Sequence, residues 1–158
     1  MGDCCSLQIT LRRQDLEAFG KAIGYHNPCT WWDELYHEDN PAVVTVSVYE
    51  ANYGWLDYRI AAAEAGITFT GQHESGGGYG PCVFAAVRGL HIEMPVDHDG
   101  NLVMALDDEL NPITTLEDLR AFIDHKKAAE EILYQYLEGD DHADGSAEDR
   151  DAALLRTA

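Results

Sequence analysis

Residues 43–72 read VVTVSVYEANYGWLDYRIAAAEAGITFTGQ, and the fold turns on this stretch. Val44, Val46 and Val48 alternate with Thr45, Ser47 and Tyr49, so 43–50 is a strand with one buried face. Asn52 is placed to cap a helix over 53–65, whose apolar stripe is Leu56, Ile60 and Ala63, and Gly66 stops it. Residues 67–72 return as a strand. Strand, helix, glycine and strand in so short a span form a βαβ unit, which predicts two parallel strands joined by a right-handed crossover.

Leu7, Ile9 and Leu11 alternate with Gln8 and Thr10 and give a first strand. Residues 13–23 place Leu16, Phe19 and Ile23 on one helical face before Gly24. Thr30 with Asp33 reads as the cap of a short helix over 31–37, ended by Asn40-Pro41. Trp31, Trp32 and Trp55 read as aromatics that wrap the core. Beyond the central unit, the loop Ser75-Gly76-Gly77-Gly78-Tyr79-Gly80-Pro81 leads into short strands over 82–87, 91–96 and 102–106. Asp99-Gly100-Asn101 is the hairpin signal between the last two. Thr114 with Glu117, or Thr115 with Asp118, opens a long helix striped by Leu116, Leu119, Phe122, Ile123, Ala129, Ile132, Leu133 and Tyr136. No internal repeat emerges.

The expected fold is therefore α+β: a mixed β-sheet of about five to six strands containing one βαβ unit, with helices mainly on one face. A long C-terminal helix covers the sheet. Residues 1–137 form one domain, and 138–158, dominated by Gly, Asp and Ala, form an acidic tail expected to be disordered.

Charge narrows the partner class. The chain of 158 residues carries 29 acidic side chains against 10 Lys and Arg, a net −19. The excess is uneven: 1–32 is neutral, 33–50 carries −5, 51–96 carries −2, 97–131 carries −7 and 132–158 carries −5. A compact chain of this length spans about 40 Å, over which duplex DNA carries about 23 phosphate charges. Such a body repels DNA, RNA and anionic membranes, and suits a basic protein surface that normally holds nucleic acid. No apolar run approaches the ~20 residues of a membrane span. Cys4, Cys5, Cys29 and Cys82 lack metal-finger spacing and read as free thiols of a cytoplasmic protein. Met1-Gly2-Asp3-Cys4-Cys5-Ser6 fits a loose acylation pattern, but no polybasic patch supports anchoring.

Two functional expectations follow. In the first, a small non-enzymatic protein docks on a basic partner through Asp97, Asp99, Asp107, Asp108, Glu109, Asp118, Asp124, Glu130 and Glu131, occluding a nucleic-acid channel. In size and charge the chain is similar to small acidic counter-defence proteins of phages and mobile elements, such as anti-restriction and anti-CRISPR inhibitors; the similarity is compositional and rests on no motif.

In the second, the carboxyl ends of the two parallel strands build a small enzyme or ligand site. Glu50, His73 and Glu74 supply acid/base groups there, with Glu50 raising the His73 pKa. Asn52, Tyr53, Gln72, Ser75, Gly76, Gly77, Gly78 and Tyr79 hold the ligand, the glycine amides being capable of forming an anion nest. Metal and cofactors are not expected. His91-Ile92-Glu93 resembles the short motif of zinc deaminases, but the Pro-Cys-x-x-Cys that should follow is missing. Asp97, Asp99 and Asn101 resemble a calcium loop with the glycine misplaced.

Overall fold

The computed structural model describes residues 3–24, 33–37 and 40–135. Cys29, the cap at Thr30, Trp31 and Trp32, Tyr136 and the tail over 138–158 lie outside them. The described chain runs β1 (Cys4–Arg12), α1 (Leu16–Ala22), β2 (Asp33–His37), β3 (Asn40–Asn52), α2 (Leu56–Glu64), β4 (Phe69–His73), β5 (Cys82–Val87), β6 (Leu90–Pro95) and α3 (Leu116–Tyr134). Short 3-10 turns, Arg13–Asp15 and Tyr53–Trp55, lead into α1 and α2.

The strands form one six-stranded sheet in the order β2-β3-β1-β4-β5-β6, and every pairing is antiparallel. The expected mixed sheet with a parallel neighbouring pair is not formed. β3 and β4 do run the same way, since each is antiparallel to β1, but β1 lies between them. Periodicity reports that two strands flank a helix; it carries no information about a third strand inserted between them. The connectivity β3-α2-β4 around β1 is a split βαβ arrangement.

Helices occupy both faces. Alternation along β5 sends Cys82, Phe84 and Ala86 into a core with Phe19, Trp55, Ala62 and Ala63, on the α1/α2 side. Ala85 and Val87 face the other way, into a second core with Met94, Phe122 and Ala129 beneath α3. The expectation of helices mainly on one face thus holds for α1 and α2 and fails for α3. The capping box of α3 is formed as read: Thr115 accepts from the Asp118 amide and Asp118 accepts from the Thr115 amide.

Other local readings change. Residues 33–37 pair with β3 as a strand rather than closing a helix. Asn52 makes no side-chain cap; its place is taken by a kink in which Tyr53, Gly54 and Trp55 all have positive φ. Residues 102–106 are not a strand but two isolated bridges, Val96 with Leu102 and Leu106 with Pro112. The largest departure is in α2. Leu56 and Ile60, read as its inner stripe, are 36% and 38% exposed, while Arg59 is 1% exposed. Burying the small Ala62 and Ala63 brings α2 close to the sheet and turns Arg59 inward.

Candidate functional site

The buried Arg59 stands at the centre of the most polar part of the interior. Its guanidinium lies 4.1 Å over the Phe84 ring. Nη2 donates to Glu93 Oε2 at 3.0 Å, and Nη1 donates to His91 Nε2 at 3.2 Å. Guanidinium only donates, so His91 Nε2 accepts and its proton sits on Nδ1. Burial, seconded by the Arg59 charge, pulls the His91 pKa down to about 4, leaving the ring neutral in neutral solution. Phe84 can sit where it does because β4 has Gly71 opposite; a Cβ there would meet the Phe84 ring at 2.5 Å and the Gln8 carbonyl at 2.2 Å.

Two further groups complete the cluster. Cys82 Sγ is 3.9 Å from Glu93 Oε2 and 2.8 Å from His73 Nε2. His73 Nδ1 lies 2.8 Å from the Glu74 carbonyl. A carbonyl cannot donate, so Nδ1 carries the proton and the Nε2 lone pair faces the thiol. Burial pushes the Cys82 thiol up to about 12 and lowers the His73 pKa. In neutral water the pair is thus a thiol donating to a neutral imidazole. A thiol so buried is a poor free nucleophile. His73, Cys82 and Glu93 each turn one ligand atom into a common volume, all within 4.8 Å of one another.

The surroundings are built for this ring. A Cβ on Gly54 would meet His73 Cδ2 at 2.6 Å, and Gly54 has φ 57°, so both space and conformation demand glycine there. The Tyr79 ring stands edge-on to His73 at 5.3 Å, and its hydroxyl donates to the Asp3 carbonyl. The glycine loop does form an anion nest. Its occupant is the chain's own Asp3 carboxylate, which accepts from the Gly77 and Gly78 amides.

Several residues of the expected ligand site stand elsewhere. A bulge between the Cys5–Ala51 and Leu7–Val48 pairs shifts the alternation of β3, so Ala51 faces the core and Glu50 is exposed. Glu50 therefore does not raise the His73 pKa, and the shift is downward. Glu74 contributes its backbone: its carbonyl to His73 and its amide to the Ser6 carbonyl. Tyr53 is brought beside Tyr79, with ring centroids 6.1 Å apart. Gln72 bonds Gln8, and with Ser75 lines a cleft of about 420 Å³ shared with Ser6, Asp97 and His98. His73, Glu74 and Cys82 also border this cleft, while strand alternation directs the His73 ring toward Cys82 and Tyr79. Sequence reading paired His91 with Glu93 and singled out His73, but missed Arg59, Cys82 and Gly54. The run Ala61-Ala62-Ala63 was the available signal, since such small side chains permit close packing of α2.

The acidic segment has its own order. Asp97 Oδ1 accepts from the amides of Asp99 and Asn101, and Asp107 Oδ1 accepts from those of Glu109 and Asn111. In both turns the Asn side chain returns to the Asp, and the Asp amide donates to the Asn carbonyl. The two are copies ten residues apart, Asp-x-(Asp/Glu)-x-Asn, a repeat that sequence reading did not detect. Their hydrogen bonds hold both Asp carboxyls below the usual carboxylate range.

Among the nine nominated acids, Asp97, Asp107 and Asp118 therefore serve their own backbone, and Glu130 pairs with Lys126. Residues 97–118 hold seven acids and no Lys or Arg; residues 119–131 hold three of each and are neutral. The acidic surface is the turn segment, while on α3 Asp124 and Glu131 share the surface with Arg120 and Lys127.

Among the described residues no helix is long and apolar enough to cross a membrane. No protein-family model matches the chain, and no curated protein or solved structure matches it.

Proposed function

We propose that this chain is an interaction protein that docks its acidic turn segment, residues 97–118, on a basic surface of a nucleic-acid-binding partner and thereby blocks nucleic acid from it. The observation that carries this reading is Leu110. It is 77% exposed and holds φ 66°, the left-handed conformation that its counterpart in the first turn, Gly100, adopts at φ 82°. A Leu there is unfavourable twice, in backbone strain of about 1 kcal/mol and in apolar exposure. Strained backbone positions of this kind cluster at functional sites, which supports a binding role for Leu110.

Met104, Leu106, Ile113 and Leu116 are also exposed in this segment, beside Asp99, Asp108 and Glu109. Carboxylates steer the encounter and make it salt-sensitive, while the apolar side chains supply contact area that survives screening. The cytoplasmic setting and the counter-defence role expected from composition belong to this same reading.

The experiment compares the full chain with Leu110→Gly and with Asp108→Asn/Glu109→Gln as baits in the native host extract, at low and high salt. The expected capture is a basic protein held more weakly, but still held, at high salt and displaced by duplex DNA or RNA. The charge variant should bind it more weakly at low salt, and Leu110→Gly more weakly at both. A partner bound equally by all three baits overturns the proposal.

A further inference from the structure

We propose that His73 Nε2, Cys82 Sγ and Glu93 form a binding site for a divalent transition ion of the zinc class. The donors come from β4, β5 and β6 and already lie within 4.8 Å of one another. A thiolate, an imidazole and a carboxylate are the donor set of a borderline-soft ion; calcium and magnesium take oxygen ligands. His73 is held as metal-ligating histidines usually are, its far nitrogen donating to a carbonyl, which fixes the tautomer and aims the lone pair at the site. The Glu93 side chain is 39% exposed, so solvent reaches the cluster from that side and a fourth coordination position opens there.

The geometry needs small adjustments. Tetrahedral bonds of about 2.3 Å to sulfur and 2.0 Å to nitrogen or oxygen place the ligand atoms about 3.5 Å apart. Cys82 Sγ and His73 Nε2, at 2.8 Å, must separate a little, and Sγ and Glu93 Oε2, at 3.9 Å, must close a little. Side-chain rotation supplies both. Glu93 Oε2, the oxygen nearest Sγ, is also the one that Arg59 holds, so a turn of the carboxylate is needed that leaves Arg59 on one oxygen and brings the other to the ion. Coordination replaces the Cys82 S–H bond by a sulfur–metal bond, and the displaced proton leaves to solvent; His73 keeps its Nδ1 proton.

The test uses the full, untagged chain, stripped with chelator and titrated with cobalt(II). The expected result is one equivalent bound, a near-ultraviolet thiolate-to-cobalt charge-transfer band, one proton released, and displacement by zinc(II). Cys82→Ala and His73→Gln should each weaken binding by at least ~100-fold, whereas Cys4→Ser and Cys5→Ala should keep the band. Cadmium NMR on the unmodified chain avoids dependence on folded variants: a shift typical of one sulfur ligand supports the site, and an all-oxygen or oxygen–nitrogen shift overturns it. Absence of the band in the unmodified chain, or its survival in folded Cys82→Ala, also overturns it.

Discussion

Glu93→Gln should destabilise the protein, and adding Arg59→Met should restore it. Arg59 is 1% exposed and forms an ion pair at 3.0 Å with Glu93, whose side chain is 39% exposed. Coulomb's law at that separation gives about 1.4 kcal/mol in water and about 5.5 kcal/mol at an effective dielectric of ~20. A pair with one buried and one half-exposed member falls between, near 3 kcal/mol, in the range seen when a buried pair loses one partner. Gln keeps the shape of Glu93 but leaves the guanidinium charge desolvated without its counter-ion.

Arg59→Met removes that charge and fills similar volume over Phe84, while Glu93 can rehydrate, so this single change should lose only about 1 kcal/mol, chiefly the cation–π contact. The double variant should then lie within about 1 kcal/mol of the parent and above Glu93→Gln alone. Urea unfolding with chelator present, so that bound metal does not enter, reads this as a fall and a recovery of the midpoint at constant m. If Arg59→Met alone loses 3 kcal/mol or so and the double is no better than Glu93→Gln, Arg59 acts by packing and the reasoning fails.

Two further outcomes follow from the site and from α3. Gly54→Ala should destabilise by about 2–3 kcal/mol, combining the left-handed backbone cost with displacement of the His73 ring, and should remove the slowly exchanging imidazole Nδ1 proton signal; an unchanged urea midpoint would falsify the close contact. Asp118 accepts from both the Thr115 amide and hydroxyl, which hold its pKa below the usual carboxylate value. A carboxyl lowered in the folded state stabilises it above the unfolded pKa of about 3.9 and loses that contribution as pH falls through the folded value. Asp118→Asn should accordingly be less stable than the parent at about pH 6, with the gap narrowing toward pH 3. A gap independent of pH refutes the capping-box assignment of that charge.

How much of this could be read in advance depends on what each signal encodes. Alternation in β1 and β3, the stop at Gly66 and the Thr115–Asp118 box are local, and the structure shows them. Strand order is not local: nothing in 43–72 announces that β1 inserts between β3 and β4. The bulge that turns Glu50 outward is one residue of slippage, and a period-two reading assigns the wrong face to everything beyond it. His91 and Glu93 were legible as a same-face pair because they sit two apart on one strand. Their partner was not, because an Arg in a helix reads as solvent-facing until the sheet supplies Phe84, Glu93 and His91 to receive it.

The two positions that most contradict hydrophobic patterning are Arg59, inside, and Leu110, outside. Each is locally unfavourable, and each has a cheaper residue at hand: an apolar side chain for Arg59, and the glycine of the sister turn for Leu110. Local rules broken without structural need mark function or strain, but the two cases differ. Arg59 is compensated within the fold by the Phe84 ring, a carboxylate and an imidazole, so its removal can be offset by removing its partner. Leu110 has no such compensation in the described structure, since no change elsewhere in it relieves a strained, solvent-facing Leu. The two positions therefore separate by one kind of measurement. A second-site change should rescue Glu93→Gln, whereas Leu110→Gly should leave stability within about 0.5 kcal/mol, relief of strain offsetting the added freedom of the unfolded chain. If Leu110→Gly instead unfolds the protein, Leu110 is part of the packing, and the docking surface must be sought away from the second turn.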